Sequence, residues 1–191
     1  MPNKAIAIIH DEHRSLATVI SALQHLVRQA QSTQSPPDFQ MLWAMLYYIE
    51  SFPERLHHPK EEHYLFRLLE QRTHEIDDTL SELRQQHVEG SAQVKSLFQA
   101  LRRLQAGMAD NIGEFSSAVN RYAADTWRHM NLEEHVVFPT ALRSLTEQDW
   151  EEIANAFGEN GDPRFGAEPD AEFRDLFRRI IKLKPGQSPT A

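Results

Sequence analysis

Two ten-residue stretches of this 191-residue chain repeat each other, residues 57–66 (HHPKEEHYLF) and 129–138 (HMNLEEHVVF), and both read H-x-x-x-E-E-H-x-x-F. They lie 72 positions apart, from 57 to 129. Each sets a histidine and a glutamate one helical turn apart, so that both side chains share one face of a helix. An imidazole nitrogen and a carboxylate presented together suit a borderline first-row transition metal. Two such pairs facing each other can hold two ions bridged by the glutamates.

Composition narrows the chemistry. The chain has no cysteine, which removes disulfides, thiolate zinc sites, iron-sulfur clusters and thiol catalysis together. The ligands of any metal are therefore nitrogen and oxygen. A formal net charge of -8, with Lys and Arg scattered, excludes the basic stripe that a nucleic-acid partner needs. No apolar run reaches the roughly 20 residues of a membrane span, and the short apolar run at residues 5–9 is no signal peptide core. The expectation is a cytoplasmic protein without a membrane or nucleic-acid partner.

Positioning these residues requires helices, and the hydrophobic period supplies them. A stripe of Ile6, Ile9, His13, Leu16, Ile20, Leu23 and Val27 predicts a helix over 2–30, ended by QSTQSPP at 31–37. A second runs over 38–70 through Leu42, Met45, Leu46, Ile49 and Phe52 into the first motif copy. Pro53 and Pro59 predict a bend or irregularity there. A third, over 75–105, buries Leu80, Leu83, His87, Val94, Leu97, Leu101 and Leu104. After a connector at 107–113, the fourth covers 114–144 through Phe115, Val119, Tyr122, Thr126, His129, Glu133 and Val137. Thr146 with Asp149 three residues on reads as the N-cap of a short helix through Trp150, Ile153 and Phe157. A last amphipathic helix is expected over 170–183, with Phe173, Leu176, Phe177, Ile180 and Ile181 on one side.

The fold class is therefore all-α, an up-down-up-down four-helix bundle over 1–145 with two additional C-terminal helices in an extension over 146–191. His13 and His87 each interrupt an apolar stripe and stand 74 residues apart, close to the spacing of the motif copies, so the bundle has an internal pseudo-twofold. Four histidines and two glutamates then converge: His13, His57, Glu61, His87, His129 and Glu133. Each ion receives two histidines, with Glu61 and Glu133 bridging. His10 stands as an alternative to His13 in the same turn, but it leaves the apolar stripe. His58 and Glu62 repeat the ligand spacing one residue out of phase; Met130 at the matching place in the second copy favours His57 with Glu61. Glu62, Glu134, His63 and His135 are either partners that orient the ligands or exposed polar residues.

The DEHR segment around His13, the HHPKEE segment, the lone His87 and the final HxxxEE followed by Phe138 and Pro139 resemble the hemerythrin-like proteins with an HHE cation-binding domain. The resemblance covers roughly residues 5–145. It implies a non-heme diiron centre with the six residues above as ligands, two iron ions and a bridging oxo or hydroxo group. The oxygen carriers of that group supply a second histidine four residues after the one in the third helix; here that position is Ser91. Fewer histidines leave open coordination for a small diatomic ligand or peroxide. The implied function is a protein that binds or senses oxygen, nitric oxide or iron. The alternatives are a diiron enzyme turning over peroxide or nitric oxide, and a helical interaction module with incidental metal binding. No catalytic signature beyond the redox-capable centre is legible, and the C-terminal helix is a candidate homodimer surface.

Overall fold

The computed structural model of the protein describes residues 3–107 and 111–159, and among these every regular element is helical. Helix α1 is Lys4–Thr33, opened by Asn3, whose side chain accepts hydrogen bonds from the backbone N–H groups of Ala5 and Ile6. It ends where Gln34 turns into the left-handed region, φ 52°. Helix α2 spans residues 39–72 and starts on Asp38, which caps Met41 N–H. Helix α3 is Asp77–Gln105, α4 spans residues 111–144, and α5 is Glu147–Gly158. The capping box read from Thr146 and Asp149 is present at the start of α5. The amphipathic helix expected over 170–183 lies outside the described residues.

The irregularity expected near Pro53 and Pro59 takes the form of π-helix. Within α2, Glu50–His57 and Glu61–Phe66 are π-helical, separated by a short α-helical stretch, His58–Lys60. Pro53 has no N–H to give to the preceding turn, and a wider turn accommodates that loss. The second motif copy does the same without a proline inside the segment, since Glu133–Val137 is also π-helical. In both copies the π segment begins at the inner glutamate.

The four long helices pack in a ring, α1 on α2, α2 on α3, α3 on α4 and α4 on α1, with α5 laid against α1 and the second π segment of α2. Two apolar clusters fill the interior. One gathers Leu16, Leu23, Leu42, Met45, Phe52, Val94, Leu101, Phe115 and Val119; the other gathers Ile9, Leu65, Phe66, Leu80, Leu83, Val137, Phe138, Ile153 and Phe157. Burying each such large side chain contributes roughly 1.5–3 kcal/mol. Between the clusters along every helix lies a buried polar layer: Glu12 and His13, then His57, His58 and Glu61, then His87, then His129 and Glu133. Ile153 and Phe157 place α5 in the second cluster, and its Asp149 takes a two-pronged ion pair from Arg72 at 2.8 and 2.9 Å. No described helix is long and apolar enough to cross a membrane.

Candidate metal centre

The two inner glutamates are fully buried, and each spreads its two oxygens between two histidines. Glu61 Oε1 lies 3.1 Å from His57 Nε2, and its Oε2 lies 3.5 Å from His87 Nε2. Glu133 Oε2 lies 3.3 Å from His13 Nε2, and its Oε1 lies 3.3 Å from His129 Nε2. One side thus offers His13, His57 and one oxygen of each carboxylate; the other offers His87, His129 and the remaining oxygens. Such a set of imidazole nitrogens and carboxylate oxygens can hold a metal cation.

The polar layer is costly as it stands. His13 Nε2, His87 Nε2, His129 Nε2, His58 Nδ1 and both oxygens of Glu61 and Glu133 are buried without a hydrogen-bond partner. A buried carboxylate stripped of water costs several kcal/mol unless charge and hydrogen bonds compensate it. Eight unsatisfied atoms converging in one place fit a cation, and the all-nitrogen-and-oxygen donor set suits iron, manganese or zinc. His58, Glu61, His87 and His129 form one group able to hold an ion, and His13, His57 and Glu61 form another.

Each inward-facing histidine is held from behind. His57 Nδ1 donates to Glu12 at 2.6 Å, His87 to Glu62 at 2.7 Å, His13 to Glu134 at 2.9 Å and His129 to Gln86 at 3.0 Å. A carboxylate or amide oxygen accepts only, so Nδ1 carries the proton and Nε2 faces the centre. The supports run round the ring, each helix steadying a histidine of the next, because Glu12 and Gln86 directly precede His13 and His87. Glu62 and Glu134 are therefore orienting partners, whereas His63 and His135 are exposed and donate to the carbonyls of Pro59 and Asn131.

Electrostatics divides the histidines. Burial disfavours charge on His13, yet the neighbouring carboxylates of Glu133 and Glu134 outweigh it and hold the pKa at about 9. Burial likewise opposes charge on His57 and His87, but nearby carboxylates, Glu61 foremost, push both upward. Glu61 is held well below the carboxylate range despite its burial, through His57 and His87. His58 falls well below the usual histidine value through burial beside His87. His129 is lowered to about 4 by burial, only partly offset by Glu133.

The structure brings all six sequence-predicted residues together, and places His10 outside them, 3.4 Å from Glu134. It adds His58, which the comparison of the motif copies sets aside. His58 is buried and stacks on His87, ring centroids 4.3 Å apart and 11° from parallel. The His-His doublet was the available signal, since both residues stand within one turn of Glu61. Glu12 and Gln86 carried only the signal of adjacency to the lone histidines. Ser91, at the place of the absent histidine, donates to Glu54 at 2.5 Å. Glu54 in turn sits 3.8 Å from His58, its side chain 7% exposed and its pKa raised by burial. A cavity of about 40 Å³ opens onto the centre here, lined by Glu54, His58, His87, Tyr122 and His129 among others.

No curated protein matches the chain. A family model described as the hemerythrin HHE cation binding domain matches residues 4–141, a span that runs from the start of α1 into the last turn of α4 and includes every residue of the polar layer. The chain belongs to the hemerythrin HHE cation-binding domain family.

Proposed function

We propose that the protein is a non-heme diiron protein that binds or senses oxygen, nitric oxide or iron at a carboxylate-bridged His/Glu centre inside an up-down-up-down four-helix bundle. The observation that carries this reading is the division of Glu61 and Glu133, each with one oxygen toward His13 or His57 and the other toward His87 or His129. His13 and His57 would hold one ion and His58, His87 and His129 the other, with Glu61 and Glu133 each offering an oxygen to both. Iron bound there would supply open coordination positions and a redox couple. The chain's own part is to fix the imidazoles through Glu12, Glu62, Gln86 and Glu134, and to exclude bulk water with the apolar clusters above and below. A cavity of about 40 Å³ has room for a diatomic or peroxide-sized ligand. Metal analysis of the iron-loaded chain, with absorption spectra before and after azide, peroxide or nitric oxide, tests it. Two irons per chain and ligand-dependent bands are expected; a chain from iron-replete cells that carries no iron contradicts it.

A second reading, a diiron enzyme that turns over peroxide or nitric oxide, draws on Glu54. Its Oε1 is buried without a partner, and the same carboxyl lines the cavity beside His58. A protonated carboxyl there would donate a hydrogen bond to a ligand in the cavity. This reading requires multiple turnovers that vanish in the His129→Ala and Glu133→Ala variants.

A further inference from the structure

Glu61 and Glu133 are fully buried, so an ion must pass the surrounding side chains to reach them. An open groove runs between α1 and α4, lined by His10, His13, Arg14, Trp127, Arg128 and Glu134 among others. Three metal-binding side chains meet in it. His13 Nδ1 and His10 Nδ1 lie 2.9 and 3.4 Å from the same Glu134 oxygen, and the three residues offer donor atoms within 4.8 Å of one another. The groove's two cations are neutralised, since Arg14 pairs with Asp11 and Arg128 pairs with Asp125. Two imidazoles and a carboxylate, with water in the remaining positions, suit a divalent first-row ion.

We propose that His10, His13 and Glu134 form an outer divalent-cation site that captures an ion in the α1–α4 groove and passes it to the buried centre. The outer site stands on its own geometry; the transfer rests on the two-ion reading of the centre. His13 is the shared element. Its Nδ1 faces the groove, and its Nε2 faces Glu133 at 3.3 Å. A neutral imidazole has one lone pair, so the ring serves the outer ion or the inner one. An ion in the groove takes Nδ1 by displacing the proton that nitrogen shares with Glu134, and Nε2–H then faces Glu133. Once Nε2 holds an inner ion, Nδ1–H donates to Glu134 and the outer site loses a ligand. Filling the centre therefore empties the groove, which gives the transfer its direction.

The test mixes the metal-free full chain with cobalt(II) under anaerobic conditions and follows tryptophan fluorescence and the visible cobalt bands. Trp127 lines the groove and is 42% exposed, so an ion there quenches it. Wild type shows a fast quench followed by slower growth of the visible bands, and the fast quench reverses as the centre fills. His10→Gln, which keeps the side chain's size and polarity, loses the fast quench and slows the band growth by on the order of tenfold, with the same final spectrum. Trp127→Phe removes the fast signal and leaves the band growth at the wild-type rate. Wild-type uptake kinetics in His10→Gln would overturn the proposal. A fast quench that persists in a chain unable to build the two-ion spectrum keeps the outer site and overturns the buried two-ion centre instead.

Discussion

Gln86 Oε1 lies 3.0 Å from His129 Nδ1 and accepts its hydrogen bond. At the equivalent place in the other half of the bundle, Glu12 stands 2.6 Å from His57 Nδ1. The pseudo-twofold that relates the histidines is thus broken in charge, an amide behind one and a carboxylate behind the other. A carboxylate behind a ligating imidazole raises its basicity.

The two halves of the centre should consequently bind their ions unequally. Glu12→Gln is expected to weaken the ion beside His57 by about 10–100-fold, while Gln86→Glu keeps both ions and lowers the reduction potential of the one beside His129. Competition titration with a chromophoric chelator and potentiometry read these effects. Equal losses at both positions in either variant would contradict the asymmetry.

His58 is expected to act as a ligand at the His87 and His129 position. His58→Ala should weaken the second ion by about tenfold or more and leave the first in place, read as a split in a cobalt(II) titration. Unchanged binding of both ions would reduce His58 to a packing residue stacked on His87.

Protonation competes with metal uptake. His13 is raised from 6.5 to about 9 in the metal-free fold, so its proton is held through neutral pH. A raised histidine stabilises the fold fully below pH 6.5, and that contribution is lost as pH rises through about 9. The metal-free chain should therefore lose thermal stability across this window, while the loaded chain does not. Because the bound ion replaces that proton, uptake releases it, and affinity rises with pH up to about 9. Denaturation scans and proton-release measurements check both; uptake with no proton released would refute the assignment.

The short helix α5 supports the centre from its end. Phe157 is fully buried and meets His57 edge-on, ring centroids 5.8 Å apart. Phe157→Ala should cost about 3–5 kcal/mol in chemical denaturation. Asp149→Ala, which removes both the Arg72 ion pair and the Asp149 half of the capping box, should cost about 1 kcal/mol or more. A Phe157→Ala chain as stable as wild type would show that α5 is peripheral.

The helices were legible because their apolar stripes are long and each histidine interrupts one. His13 and His87 stood out for that reason, and the motif copies supplied the remaining ligand positions. The choice between orienting partner and exposed residue, open in the sequence for Glu62 and Glu134, falls in the π segments. Motif spacing presumes a regular α-helix, in which one glutamate of each E-E pair faces inward and the next turns away. The wider turn starting at Glu61 and at Glu133 instead accompanies a geometry in which Glu62 and Glu134 reach sideways to His87 and His13. His58 was obscured differently: the second copy carries Met130 there, and a symmetry argument discards whatever breaks the symmetry. Gln86 and Glu12 have ordinary polar identities, and only their contacts across the ring reveal their role.

The central claim is one carboxylate-bridged pair of ions, and a Mössbauer spectrum of the iron-loaded chain tests it most directly. Two irons per chain, magnetically coupled through the Glu61 and Glu133 bridges and uncoupled or lost in Glu133→Ala, is the predicted result. A single uncoupled iron in the wild-type chain, unaffected by removing Glu133, would contradict it.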